Sequence, residues 1–169
     1  FVMHINLSFV QIVKSNIVKD VLENIERYSA ANNHYVFEIT ETIEMDQIPA
    51  VQNVFKEFVK NDFRFAIDDF GTGYSNYGYM RDRTFDIVKV DRSFVTDIDK
   101  LKDNYLMVSF IIKMAHEMGL HVCIEGVETK EELSCVKKLG ADYIQGYYYG
   151  KPVCLQDFEE QHLKRFVLG

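Results

Sequence analysis

The stretch Phe63–Ser75, FRFAIDDFGTGYS, carries the decision about fold. Its first half, Phe63-Arg64-Phe65-Ala66-Ile67, is apolar at nearly every position. A strand with one wet face alternates apolar and polar residues. A near-continuous apolar run describes a strand covered on both faces, as in a parallel sheet layered by helices. That run ends in two carboxylates, Asp68 and Asp69, and then in Gly71-Thr72-Gly73. Glycines on both sides of Thr72 admit positive φ and close backbone approach, so a shaped loop follows, not a helix start. The stretch reads as a buried strand over 63–68 that delivers paired acids to a loop at its C-terminal end.

The same design recurs on both sides. Residues 2–7 (VMHINL), 35–39 (YVFEI), 85–90 (FDIVKV), 120–124 (LHVCI) and 142–145 (DYIQ) read as further short strands, mostly apolar on both faces. Amphipathic segments separate them. Residues 9–29 place Phe9, Ile12, Val13, Ile17, Val21, Leu22 and Ile25 near a helical period, behind a capping box of Ser8 and Gln11. A helix over 47–60 has Pro49 in its first turn, and one over 99–118 stops at Gly119. Thr129 and Glu132 form a second capping box for a helix that ends at Gly140, and a last helix is expected over 155–166.

Six βα units in a row point to an α/β fold wound from a parallel sheet. A doubly wound sheet and a TIM barrel both satisfy that pattern. The polar residues favour the barrel. Asn6, Glu38, Asp68, Lys89, Glu125 and Gln145 fall at or near the ends of successive strands. In an open sheet at ~4.8 Å per strand they would spread over about 25 Å. In a barrel the same ends converge on the face where active sites are built. A complete (β/α)8 barrel has eight strands and typically ~250 residues. The chain opens on Phe1-Val2-Met3-His4-Ile5, in mid-strand, so the expectation is a C-terminal portion of a barrel over 1–169, with further strands upstream.

Composition narrows the function classes. Thirteen Phe, ten Tyr and only two Pro exclude disorder as the dominant state. A net charge of −7 repels phosphate backbones, so a nucleic acid polymer is not an expected partner. No apolar run approaches the ~18–20 residues of a membrane span, so no direct membrane insertion is expected of this segment. Cys123, Cys135 and Cys154 are odd in number and show no CxxC spacing, which reads as free thiols in a cytoplasmic protein.

The strand-end set holds four carboxylates (Glu38, Asp68, Asp69, Glu125), the carboxamide of Asn6 and the amine of Lys89. Singly, each has a plain reading: a loop cap, a turn former, a solvated charge. Their joint placement on consecutive strand ends carries the weight. Gathered carboxylates repel one another unless cations hold them. All-oxygen ligands suit Mg²⁺, Mn²⁺ or Ca²⁺ and not Zn²⁺. Adjacent Asp68 and Asp69 allow one residue to bridge two ions while its neighbour binds the second. Two ions ~3.5–4 Å apart are the usual device for in-line attack at phosphorus. Lys89 would hold the attacking water and offset charge in the transition state. These residues point to a metal-dependent phosphoester hydrolase.

Six motifs then meet in order. Ile5-Asn6-Leu7-Ser8, Glu38-Ile39-Thr40-Glu41, Asp68-Asp69-Phe70-Gly71-Thr72-Gly73-Tyr74-Ser75, Lys89-Val90-Asp91-Arg92-Ser93-Phe94, Glu125-Gly126-Val127-Glu128-Thr129 and Gln145-Gly146-Tyr147 resemble the EAL domain family. The resemblance implies a modified TIM barrel and hydrolysis of cyclic di-GMP to linear pGpG, with Mg²⁺ or Mn²⁺ as cofactor and Ca²⁺ inhibitory. It implies that Asn6, Glu38 and Asp68 bind one metal, and Asp68, Asp69 and Glu125 the other. Lys89 would contact the nucleophilic water, and Gln145 would support the site from behind or through water. Glu41 and Glu128 would anchor the loop Phe70-Gly71-Thr72-Gly73-Tyr74-Ser75, near which the family forms its homodimers.

Two departures from the family pattern stand out. The Glu-Ala-Leu signature is absent from 1–169 and is expected upstream of Phe1; its glutamate is a metal ligand, so this segment alone is expected to be inactive. Asn76 stands where the family commonly has a serine. A catalytically silent EAL domain acting as a cyclic di-GMP receptor or dimerisation module is the main alternative. An enolase-like lyase with a Lys base explains Lys89 and the carboxylates but not the glycine loop.

Overall fold

The computed structural model describes residues 2–14, 16–27, 31–40, 49–72 and 84–163. Strands β1 (Met3–Asn6), β2 (Tyr35–Thr40), β3 (Arg64–Phe70), β4 (Ile87–Val90), β5 (His121–Ile124) and β6 (Tyr143–Ile144) form one sheet. Its spatial order is β1-β2-β3-β4-β5-β6, and every neighbouring pair is parallel. A doubly wound sheet reverses its strand order at a switch point. This one never reverses. It curls as an incomplete barrel, which is the arrangement the strand-end residues required.

The helices are α1 (Phe9–Lys14), α2 (Ile17–Arg27), α3 (Pro49–Lys60), α4 (Lys102–Glu117), α5 (Lys130–Leu139) and α6 (Leu155–Phe158). The single helix expected over 9–29 is two. Asn16 opens the second, its carbonyl accepting from Asp20 N at 3.0 Å, as a residue type that favours helix starts over helix interiors does. The helix expected from 99 begins at Lys102, because Asp97 adopts φ 55° and its carbonyl accepts from both Lys100 N and Leu101 N at 2.8 Å. That turn uses up the first residues. The last helix is four residues, followed by a π-helical turn over Glu159–Leu163. Helix α5 has both expected ends: Thr129 and Glu132 cap it reciprocally, and Gly140 leaves it at φ 89°.

Side chains alternate between the two faces of the sheet. The convex face packs on the helices through an aromatic cluster centred on Phe65. Its ring lies 4.7 Å from Phe55, 5.6 Å from Phe58 and 6.1 Å from Phe37. The concave face buries a separate, small apolar layer of Val36, Ala66, Ile87 and Cys123. Above that layer, toward the strand C-termini, the face turns ionic.

Candidate active site

Lys89 is the centre of that ionic layer. It is the third residue of β4, and its side chain is only 3 % exposed. Its ammonium lies 2.7 Å from Glu38 Oε2, 2.8 Å from Asp68 Oδ1 and 2.8 Å from Glu125 Oε1. Carboxylates from two strands and one strand end thus converge on the single cation that β4 carries. Burial alone would lower the Lys89 pKa, but the three carboxylates outweigh it and hold Lys89 well above an ordinary lysine.

One ammonium does not balance the acids around it. Burial raises the Glu125 pKa above the usual carboxylate range, and Lys89 offsets this only in part. Asp69 is raised as well, by burial and then by the neighbouring carboxylates Asp68 and Asp91. Glu38 is the exception: burial pushes it up, but hydrogen bonds from His4 and Lys89 reverse the sign and lower it. Two acids that resist ionisation beside a fully charged lysine mark a site short of positive charge.

The backbone explains how adjacent Asp68 and Asp69 both reach it. Register with β4 runs Ile67 to Val88 and then Phe70 to Val90, one extra residue on β3. Such a bulge re-aims side chains. Asp69 takes φ 54° within it, and Phe70 returns to the buried core. As a result, oxygens of Asp68, Asp69 and Glu125 lie within 4.8 Å of one another. This all-oxygen, charge-deficient set fits a hard divalent cation such as Mg²⁺ or Mn²⁺.

Glu125 and Gln145 each sit one residue past a strand, and each is followed by a glycine. Gly126 (φ 70°) packs against Arg92, and Gly146 against the Val127 backbone, so neither position has room for a side chain. Hydrogen bonds from Gln145 N to Ile124 O (2.8 Å) and from Val127 N to Gln145 O (3.2 Å) stack the two turns. Behind them the buried carboxylate of Glu132 accepts from Glu128 N at 2.9 Å, Thr129 N at 3.0 Å and Asp97 N at 3.1 Å. It ties the loop after Glu125 to the turn after β4.

The remaining expected residues are placed as follows. Asn6 ends β1 in register with Glu38, and Gln145 lies exposed at the rim. Of the loop, Gly71 packs at φ 95° against Phe94, and the Thr72 hydroxyl donates to Asp69 O at 2.9 Å. Glu128 is exposed. Glu41, Gly73, Tyr74, Ser75 and Asn76 lie outside the described residues. Sequence reasoning passed over His4, whose Nδ1 lies 2.7 Å from Glu38 Oε1, and Glu132 as a link to Asp97. His4 was legible: it stands two residues before Asn6 and so on the same strand face.

A curled parallel sheet with an acidic, lysine-centred site at its C-terminal rim defines a TIM-barrel-like protein of the α/β class. The family model of the EAL domain matches residues 1–152, and the chain belongs to that family. It is 34 % identical over 153 residues to the probable cyclic di-GMP phosphodiesterase PdeA of Escherichia coli K12, covering 90 % of this chain and 21 % of PdeA. A structure of the EAL enzyme Bd1971 with cAMP and cyclic di-GMP bound superposes with a TM-score of 0.89 at 34 % identity, covering 95 % of this chain and 42 % of that one. A manganese and cyclic di-GMP complex of Klebsiella pneumoniae BlrP1 gives 0.81 at 27 % identity, covering 89 % and 39 %. The chain spans about a fifth of the length of the first curated relatives it matches. Among the described residues no helix is long and apolar enough to cross a membrane.

Proposed function

We propose that this segment is the catalytic part of a cytoplasmic, divalent-metal-dependent phosphodiesterase that hydrolyses cyclic di-GMP to linear pGpG. The convergence of Glu38, Asp68 and Glu125 on Lys89, with Asp69 beside them, carries the reading. The names of PdeA and the cyclic di-GMP complexes of Bd1971 and BlrP1 supply the substrate.

Asn6, Glu38 and Asp68 would hold one ion, and Asp68, Asp69 and Glu125 a second. Mg²⁺ or Mn²⁺ held by these residues would lower the pKa of a bound water and offset negative charge at the phosphorus centre. Ca²⁺, with longer and looser bonds, would inhibit. Lys89 would act as a cation. In the metal-free site Asp68, Glu125 and Glu38 together hold its pKa above that of an ordinary lysine. As an ammonium it orients water by donating a hydrogen bond and offsets negative charge that grows on the phosphoryl oxygens. Gln145 would support the site from the rim. The turn from Phe70, held by Glu41 and Glu128, would couple it to a homodimer contact around 69–75.

Chromatography of the intact protein with cyclic di-GMP and Mn²⁺ tests the reading. The expected result is pGpG that disappears in Glu125→Ala. Binding without turnover in the wild type would overturn it and make the protein a cyclic di-GMP receptor.

A further inference from the structure

The lower layer of the concave face contains one residue that does not belong with its neighbours. Val36, Ala66, Ile87 and Cys123 are apolar and buried there. His4 joins them from β1 by register with Val36. Its ring points upward out of that layer, and its Nδ1 meets Glu38 Oε1 at 2.7 Å. A carboxylate can only accept, so Nδ1 carries the proton and donates. The other oxygen, Oε2, is held by Lys89 at 2.7 Å. Both oxygens of Glu38 are therefore gripped from different strands, which fixes the plane of the carboxylate as well as its position.

We infer that His4 is a positioning residue for the metal site, acting through Glu38 without touching ion or substrate. This rests on the metal-binding reading above. A ligand carboxylate gripped by a neighbouring donor presents its free lone pairs in one direction, and such outer partners are worth about 10–100-fold in metal affinity. Lys89 cannot do the same work alone. Its ammonium is shared among three carboxylates, whereas the described contact of His4 is with Glu38 only.

Calorimetric titration of Mn²⁺ into the intact protein tests this without recourse to turnover. His4→Leu keeps bulk but has no donor; His4→Asn puts an amide N–H where Nδ1 stands. The expected result is about tenfold weaker Mn²⁺ binding for His4→Leu and a return to within about twofold of wild type for His4→Asn. Equal Mn²⁺ affinity in wild type and His4→Leu overturns the inference and leaves the metal reading intact. Loss in both variants also overturns it, since the side chain would then matter by shape and not by its donor. An intact wild-type protein that takes up no Mn²⁺ refutes the metal reading itself. Circular dichroism accompanies each variant. If His4→Leu does not fold, His4→Ser, which is too short to reach Glu38, replaces it under the same criteria.

Discussion

The two faces of the same strands obey opposite rules. On the convex face, Phe37, Phe65 and Ile67 meet the helices and are almost wholly buried. One residue away on the concave face, Glu38 and Asp68 crowd around Lys89. The first arrangement lowers the free energy of the fold by removing apolar surface from water. The second gathers more negative charge than one lysine balances, which is destabilising until a cation arrives. Period-2 alternation is what lets one short strand serve both purposes.

The largest effect expected from breaking this contrast lies on the convex side. Phe65→Ala removes the ring at the centre of the aromatic cluster, where Phe55, Phe58, Phe37 and Phe85 all approach within 6.2 Å. The cost is about 3–5 kcal/mol by urea unfolding, the range for a large aromatic removed from a packed core. Mn²⁺ affinity of the molecules that stay folded should be unchanged. If affinity falls in step with stability, the two faces are not separable.

Glu132 sharpens the comparison because it is buried and charged yet structural. Burial would raise its pKa, but three backbone N–H donors outweigh that and lower it. A lowered folded pKa means stability that is present above the unfolded value of about 4.3 and is lost as pH falls through the folded one. Glu132→Gln turns one acceptor oxygen into a donor facing N–H groups. It should cost about 1–3 kcal/mol at pH 7, the penalty for stranding a buried donor. The gap from wild type should close as pH drops below about 4, because protonated Glu132 also loses an acceptor. A gap independent of pH would mean that shape and not charge holds these loops together.

Much of this was legible in the sequence, for a physical reason. Strand faces and strand ends follow from period-2 alternation, so Glu38, Asp68, Lys89 and Glu125 could be placed on one rim before any coordinates. The capping box of Thr129 and Glu132 is local and was equally plain. What escaped depends on contacts between distant segments or on competing local turns. The break at Asn16 pits one cap against a continuous apolar stripe. The bulge at Asp68-Asp69 is visible only against β4. Glu132 reads as a cap, but its bond to Asp97 N joins residues 35 positions apart.

The smallest effect tests the opposite sign. The pKa of Glu125 is raised because burial outweighs what Lys89 returns, so its charged form opposes folding at neutral pH. For a carboxyl of this kind, stability grows as pH falls through the folded pKa toward the unfolded value, the reverse of Glu132. Glu125→Gln keeps the shape and removes the charge, and Lys89 retains Glu38 and Asp68 as partners. Metal-free protein should therefore melt about 2 °C higher, the equivalent of roughly 0.5–1 kcal/mol, by differential scanning calorimetry. Added Mn²⁺ should raise the wild-type Tm by more than that of the variant, which keeps Asn6, Glu38 and Asp68 but loses a ligand of the second ion, and so narrow or reverse the order of the two. A residue that lowers stability alone and raises it with metal is set for binding, and stability given up at a site is the ordinary signature of function. If Glu125→Gln melts lower than wild type without metal, Glu125 is a structural partner of Lys89, and the concave face is as much a part of the core as the convex one.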